Sequence, residues 1–317
     1  MRRGPSFRRL LQRGQCRQAG LSLIELMIAL ALGMGVALAS LALLNAAKSS
    51  YVAVSDGALV QDTGRYAIDV LSRAIRQANF VPYDHPAFAA TDSLDMTQLS
   101  AGILGMDNAR LNSQTAALTA SQSNTANYGS DVLAIRYFGS SAGNKADGSI
   151  LNCAGFAVAA PANAAAIATP AAADDERGWS IFYVAADSSD EPELRCKYVT
   201  KNDGWSSTAI ARGVEAFQVL YGIGDGVGNH VDGPVAQYRN ASQMTAQQWR
   251  QVVAVRIAML VRGEQNSGND APETVYELFG PAYRNGLDPG TTVTKLKQQH
   301  RMRKLFQATV RLRNMPS

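Results

Sequence analysis

The chain has 317 residues, 46% of them apolar and 7% aromatic, which allows one or two domains with a sizeable core. Its formal charge is +4, yet residues 1–20 hold six arginines (Arg2, Arg3, Arg8, Arg9, Arg13, Arg17) and no acid, so the remainder carries 24 basic against 26 acidic residues. A body that is slightly acidic lacks the clustered positive charge that nucleic-acid binding needs, and this argues against DNA or RNA as the partner.

The first element in chain order is an apolar helix. Ala19-Gly20 closes the arginine-rich leader, and Leu21-Ser22-Leu23-Ile24-Glu25-Leu26-Met27 follows directly. From Leu26 to Leu44 come 19 residues without a charge, about the number that spans a bilayer core as a helix. A lone carboxylate at the edge of such a run, Glu25, is costly there and marks a functional position; snorkelling to the lipid headgroups is its plainer role. Gly33 and Gly35 each weaken the helix by about 1 kcal/mol relative to Ala, or let a neighbour pack closely. Three readings fit residues 1–44: a plain anchor with its basic end inside, a secretory signal cut after Ala37-Leu38-Ala39, or a leader cut before the apolar run.

The last of these has the most specific support. A basic leader ending in Gly20, then Leu21 and Ser22-Leu23-Ile24-Glu25-Leu26-Met27, resembles the N-terminus of type IV prepilins. The family usually has Phe where Leu21 stands and often Thr in place of Ser22. The resemblance implies cleavage between Gly20 and Leu21 by a prepilin peptidase and N-methylation of Leu21. It also implies an assembly contact for Glu25. A carboxylate in an apolar phase needs a partner charge or protonates, and the new Leu21 ammonium, on its own chain or a neighbour, is the nearest candidate.

Lys48 to Asn79 continues as helix by pattern. Leu59, Tyr66, Val70, Leu71, Ala74, Ile75 and Ala78 make one face, Asp62, Arg65, Asp69, Arg73 and Arg76 the other, with a stop before Phe80-Val81-Pro82. Residues 81–130 read as a long irregular connection with at most a short helix. Asp131–Phe138 is the first convincing strand. Ala157–Ala173 is alanine-rich, with Pro161 and Pro170, and reads as a loop of little order. Trp179–Ala185 and Leu194–Thr200 form a hairpin, followed by an edge strand at Trp205–Ala211. In Val214–Tyr221 the inward set is Val214, Ala216 or Phe217, and Val219. Ser242–Trp249 is a short helix with Thr245 as a possible cap. Gln251–Arg262 is the strongest strand and the expected centre of the sheet, and Arg303–Asn314 is the last. Gln61–Ala67, Ile75–Phe80, Trp249–Arg262 and Arg303–Asn314 also resemble the PilW group of minor pilins.

Three cysteines are present, Cys16 in the leader and Cys153 and Cys196 in the body. If the basic end stays in the cytoplasm, the body is exported, and Cys153 and Cys196 can form one disulfide; two unpaired thiols is the alternative. Between Gly222 and Tyr238 a glycine-rich loop carries Asp225, Asn229 and Asp232. Such oxygen-rich loops can hold Ca²⁺, but the spacing departs from an EF-hand and a plain hairpin loop is the simpler reading. The basic run Lys295, Lys297, Arg301, Arg303 and Lys304 reads as a solvated face, or as a contact with another pilin. His85, His230 and His300 are scattered, and no cofactor or enzymatic motif stands out.

These observations lead to an α+β, type IV pilin-like chain: a leader at 1–20, an N-terminal helix at 21–80 that is transmembrane over about 21–44, and an antiparallel β-sheet head with long loops at 81–317. The resemblance implies a minor pilin acting in type IV pilus assembly, priming or the tip complex, and so in adhesion and twitching, and no enzymatic activity. Its implied partners are the prepilin peptidase, other minor pilins, the major pilin, the inner-membrane assembly platform and a tip adhesin. Its implied location is the inner membrane with the head in the periplasm, then the pilus. A type II secretion pseudopilin shares the same leader. A secreted or anchored enzyme, or an adhesin with an ordinary signal peptide, are the readings from other classes.

Overall fold

The computed structural model describes residues 20, 22–89, 98–111, 120–122, 127–143, 145–200, 204–224, 233–268, 274–283, 288–294 and 300–314. They divide into two compact units, 1–51 and 52–317. A single helix, α1 (Leu23–Gln77), contributes to both.

α1 begins where Ser22 accepts the Glu25 N–H through its hydroxyl (3.2 Å) and the Leu26 N–H through its carbonyl (3.1 Å). It ends as Asn79 turns to a positive φ of 57°, the left-handed position that Asn tolerates best after Gly. In the second unit α1 buries Asp56, Val60, Gly64, Ala67, Leu71, Ser72, Ala74 and Ile75. Leu71, Ala74, Ile75 and Ala78 lie inward as their pattern implies, but earlier in the helix the inner face falls on Val60, Gly64 and Ala67. Leu59 and Tyr66 point outward, while Gly64 and Ala67 turn inward because small side chains let the strands approach.

The head begins with α2 (Pro86–Ala89), β1 (Ile103–Met106) and a small ribbon of β2 (Ala109–Leu111) and β3 (Ala120–Gln122). β4 (Val132–Tyr137), a second ribbon of β5 (Ser141–Ala142) and β6 (Lys145–Ala146), and helix α3 (Pro170–Asp175) follow. Next come β7 (Gly178–Ala186), β8 (Pro192–Val199), β9 (Trp205–Arg212), β10 (Val214–Gly224) and β11 (Val235–Arg239). α4 (Ala246–Arg250), β12 (Val252–Arg262), a ribbon of β13 (Tyr276–Glu277) with β14 (Thr292–Val293), and β15 (Arg303–Arg311) complete it.

Two antiparallel sheets result, of order β1-β4-β7-β8-β9 and β11-β10-β12-β15, where the sequence pointed to one. They share a core with α1, in which Leu71 and Ile75 meet Leu133, Phe182 and Leu194 from the first sheet and Phe217, Val255 and Ile257 from the second. The far side of the four-stranded sheet is covered too, by Leu278, Phe279 and Val293 over Ala216, Leu220 and Leu260. β10 is therefore buried on both faces. A register shift between Val214 and Ala216 settles its inward set, placing Phe217 with Val214 and Val219 and turning Ala216 to the second cluster.

Two segments are more ordered than their composition implies. β1 lies in the stretch read as irregular; it is a short edge strand ordered by pairing with β4, from Ile103 opposite Ile135 to Met106 opposite Val132. The alanine-rich segment holds a 3₁₀ turn, Ala164–Ile167, capped by Asn163, and α3 is capped by Thr169. Ile167 and Ala173 pack with Phe138 and Ala87, because alanines give short helices that fit closely against a core. The hairpin β7–β8, the edge strand β9, central β12 and terminal β15 stand where the sequence places strands. Thr245 makes a full capping box with Gln248 at the start of α4.

Candidate functional site

The N-terminal segment is an apolar helix start with one acid. Gly20 is exposed; Leu21 lies outside the described residues. Ser22 as N-cap and Glu25 at the third helical position form the Ser-x-x-Glu order of a capping box, of which the Ser22 half is made. Glu25 therefore has a local role that the sequence reading overlooked: a negative charge in the first turn favours the helix dipole. From Leu23 to Leu44 the large apolar side chains are exposed, Ile24 at 68% and Leu43 at 72% among them. This stretch is long and apolar enough to cross a membrane, with a mean hydropathy of 2.4 over its best window. Such a surface requires lipid or the apolar faces of neighbouring helices.

Within the second unit, α1 is fixed to the head by a buried acid and a missing side chain. Asp56, 3% exposed, accepts N–H bonds from Glu264 (3.0 Å) and Gln265 (3.3 Å) and the Ser267 hydroxyl. A Cβ on Gly263 would collide with that carboxylate, so glycine permits the approach. One turn further on from Val60, a Cβ on Gly64 would enter the ring of Phe306 on β15. Sequence reasoning passed over Asp56 because a lone Asp in a polar-rich helix looks solvated.

Behind this contact runs a chain of ion pairs. Glu215 on β10, 1% exposed, receives Arg262 Nη1 (2.9 Å) and both Arg303 Nε (2.6 Å) and Nη2 (3.0 Å). Glu191 bridges Arg262 (2.6 Å) and Arg301 (3.0 Å); burial pushes its pKa up, but the two guanidiniums outweigh that and hold it below the usual range. Arg301 and Arg303 are thus internal partners rather than a solvated face. Lys304 bonds Gln61 of α1, and Lys295 and Lys297 lie outside the described residues. The signal available in the sequence was Glu215 itself, a charge set between Val214 and Ala216 in an apolar strand.

Cys153 and Cys196 form a disulfide that links the 150–155 loop to β8, across 43 positions of sequence. Its neighbourhood is tied by Ser180, whose hydroxyl accepts the Cys153 N–H (3.0 Å) and contacts Tyr137 Oη (2.8 Å). Asp225, Asn229 and Asp232, the calcium candidates, lie outside the described residues, as does His230. Among the described residues, no group of three or more His, Cys, Asp or Glu side chains is arranged to hold a metal ion.

One acidic cluster nevertheless lies deep in the head. Asp131 accepts the N–H groups of Asn108 (3.1 Å) and Val219 (2.8 Å), and Asp107 those of Ala241 (2.8 Å) and Ser242 (2.7 Å). Burial, then repulsion from Asp288 and Asp107, raises the Asp131 pKa well above the carboxylate range. Asp288, fully buried, is pushed to about 7 by burial and by Asp107, with Asn240 pulling the other way. Asp131 and Asp107 staple the 107–108 turn, the start of β4, β10 and the 240–242 turn into one seam.

Comparison with known proteins places these features. Residues 181–314 match the family described as Type IV Pilus-assembly protein W, and residues 15–41 match the prokaryotic N-terminal methylation motif. No curated protein matches the chain. Among solved structures, a type IV-like pilin from Thermus thermophilus is similar, with 13% identity and a TM-score of 0.40 over 81% of this chain and 98% of that one. The matched family is one of pilus components, not of enzymes. A role connected with the type IV pilus follows, and with it contact with other pilus components. The methylation motif around Gly20 and Glu25, and the PilW match from β7 to the end of the last strand, together support a minor pilin of the PilW type.

Proposed function

We propose that this chain is a minor pilin that primes type IV pilus assembly or sits in the tip complex, and so supports adhesion and twitching motility. The observation that carries the reading is the unburied apolar helix at 23–44, preceded by Gly20 and opened by Ser22 and Glu25. In this role a prepilin peptidase cuts between Gly20 and Leu21, Leu21 is N-methylated, and residues 1–20 are discarded. Before cleavage the basic leader would lie on the cytoplasmic side and the head in the periplasm. Glu25 then pairs with the Leu21 ammonium of a neighbouring subunit and sets the axial register as the subunit docks. A head of this size, with both faces of its central sheet covered, fits a terminal position better than a repeating shaft, where bulk would crowd the array. The other minor pilins, the major pilin, the inner-membrane platform and a tip adhesin are the proposed partners.

N-terminal sequencing of the mature protein tests the processing step. A methylated start at Leu21 is expected, and a start at Ser40 would sink the reading. Deletion should reduce surface piliation and twitching. A strain that keeps both but loses protein secretion would place the chain in a type II secretion system instead.

A further inference from the structure

Along the outer side of β9 runs a groove of about 800 Å³, entirely within the second unit. Its floor is apolar: Val70 and Phe80 from the α1 side and Ile150 and Ile210 from the head are half-buried against the main core. Thr208, Ala209 and Ile210 all line it. Successive strand residues point to opposite faces, so three in a row bordering one groove means that the strand presents its edge there, backbone included. β9 is the end strand of its sheet and pairs with β8 alone among the described strands. Natural edge strands are usually protected by proline or charge. Between Trp205 and Ala211, β9 has neither.

The rim adds a sign. Arg73, Arg76 and Arg313 line the groove, and no Asp or Glu does. Arg73 reaches exposed Asp69 on its own helix (2.9 Å), a pair that is weak in water. Neither Arg76 nor Arg313 has an acidic partner among the described residues. An open strand edge, an apolar floor and a cationic rim call for an extended segment with apolar residues on one face and carboxylates on the other.

We propose that the β9 groove receives an acidic extended segment of a neighbouring pilin-type subunit, which adds to the first sheet as a sixth strand. The proposal rests on the minor-pilin reading and names how this head would grip its neighbour. The bound segment would gain backbone hydrogen bonds from the β9 edge, while Arg76 and Arg313 would select its charge.

The test places a photo-crosslinking amino acid at Ala209 of the full-length chain, in cells that assemble the fibre, with Ser188 in the β7–β8 turn as the control position. Mass spectrometry identifies the joined peptide, and N-terminal sequencing of the same sample reports processing. An adduct at Ala209, absent at Ser188, to an acid-rich segment of another pilin-type subunit is expected. Arg76→Glu with Arg313→Glu should lower its yield about fivefold, and Arg76→Lys with Arg313→Lys should retain it. Processed protein with no adduct at Ala209 overturns the groove and leaves the pilin reading standing. So does an adduct to a second copy of this chain or to a segment without acids, or a yield indifferent to charge reversal. Protein that is not cut at Gly20-Leu21 overturns both.

Discussion

Replacing Glu215 by Leu removes the buried carboxylate that Arg262 and Arg303 share. The carboxylate is 1% exposed, the Arg303 side chain 0% and that of Arg262 4%, so neither guanidinium can turn to water without opening the sheet. Arg262 keeps its pair with Glu191, and Arg303 keeps the bond to Arg301 O (3.1 Å) among its other contacts, but neither replaces the shared carboxylate. Removing one partner of a buried pair costs about 3–5 kcal/mol, because the charge left behind is uncompensated. For a unit of this size that corresponds to a fall in Tm on the order of 10 °C. The control is Glu215→Leu with Arg262→Met and Arg303→Met, which removes the charges together and should cost less than about 1 kcal/mol. Thermal unfolding of the full-length protein in detergent, followed by circular dichroism, measures both. If the single variant loses under about 1 kcal/mol, or the triple variant falls as far as the single one, the network does not hold the sheet in the way described.

Three further outcomes are expected. Gly64→Ala puts a methyl group into the Phe306 ring and should cost about 1–3 kcal/mol, largely recovered when Phe306→Leu is added; urea unfolding of the single and double variants checks this. Cys153→Ser with Cys196→Ser opens a loop of 43 positions and should cost up to about 4 kcal/mol on chain entropy, read as a lower Tm that matches the reduced native protein. Asp288, at about 7 in the folded state against 3.8 as its reference, binds a proton that the unfolded chain has lost between those values. Stability should therefore fall as pH rises from about 4 to 7, by at most about 4 kcal/mol, and level off above; in Asp288→Asn the slope over this window should flatten, and an unchanged slope would refute the assignment.

The elements that carry strong periodicity were legible from residues alone. β12 is an apolar run long enough for only one interpretation, β15 alternates apolar with polar residues after a basic start, and the β7–β8 hairpin has a turn of polar residues between two strand-forming stretches. What stayed hidden depends on contact between distant parts. β1 has four residues of mixed character and becomes a strand only because β4 offers it an edge. The inner face of α1 was legible from Leu71 to Ala78 but not before it, because hydrophobicity marks Leu59 and Tyr66 while close approach selects small residues: Gly64 faces inward to admit Phe306 of β15, and Leu59 and Tyr66 do not. The burial of Asp56 and Arg303 stayed hidden because it depends on the fold, and Glu215, a charge in an apolar strand, was the one hint of it. A charge is solvated by default in a sequence, and only the fold supplies the donor or counter-ion that lets it be buried.

The helix start joins the local and the functional accounts of Glu25. The partial positive charge at a helix N-terminus favours a nearby carboxylate and disfavours a nearby ammonium. Cleavage at Gly20-Leu21 would place a new ammonium two residues before Leu23, where α1 begins, at the end of the helix that least tolerates it. Glu25, in the first turn, opposes that positive charge as well as the dipole. A neutral cap such as Ser22 can satisfy the Glu25 N–H, as it does here at 3.2 Å, but it cannot balance an amine in an apolar phase. The hydroxyl at Ser22 thus accounts for where the helix starts, and under the proposed processing the carboxylate at Glu25 would be the group that balances the new amine in lipid or in the interior of a fibre.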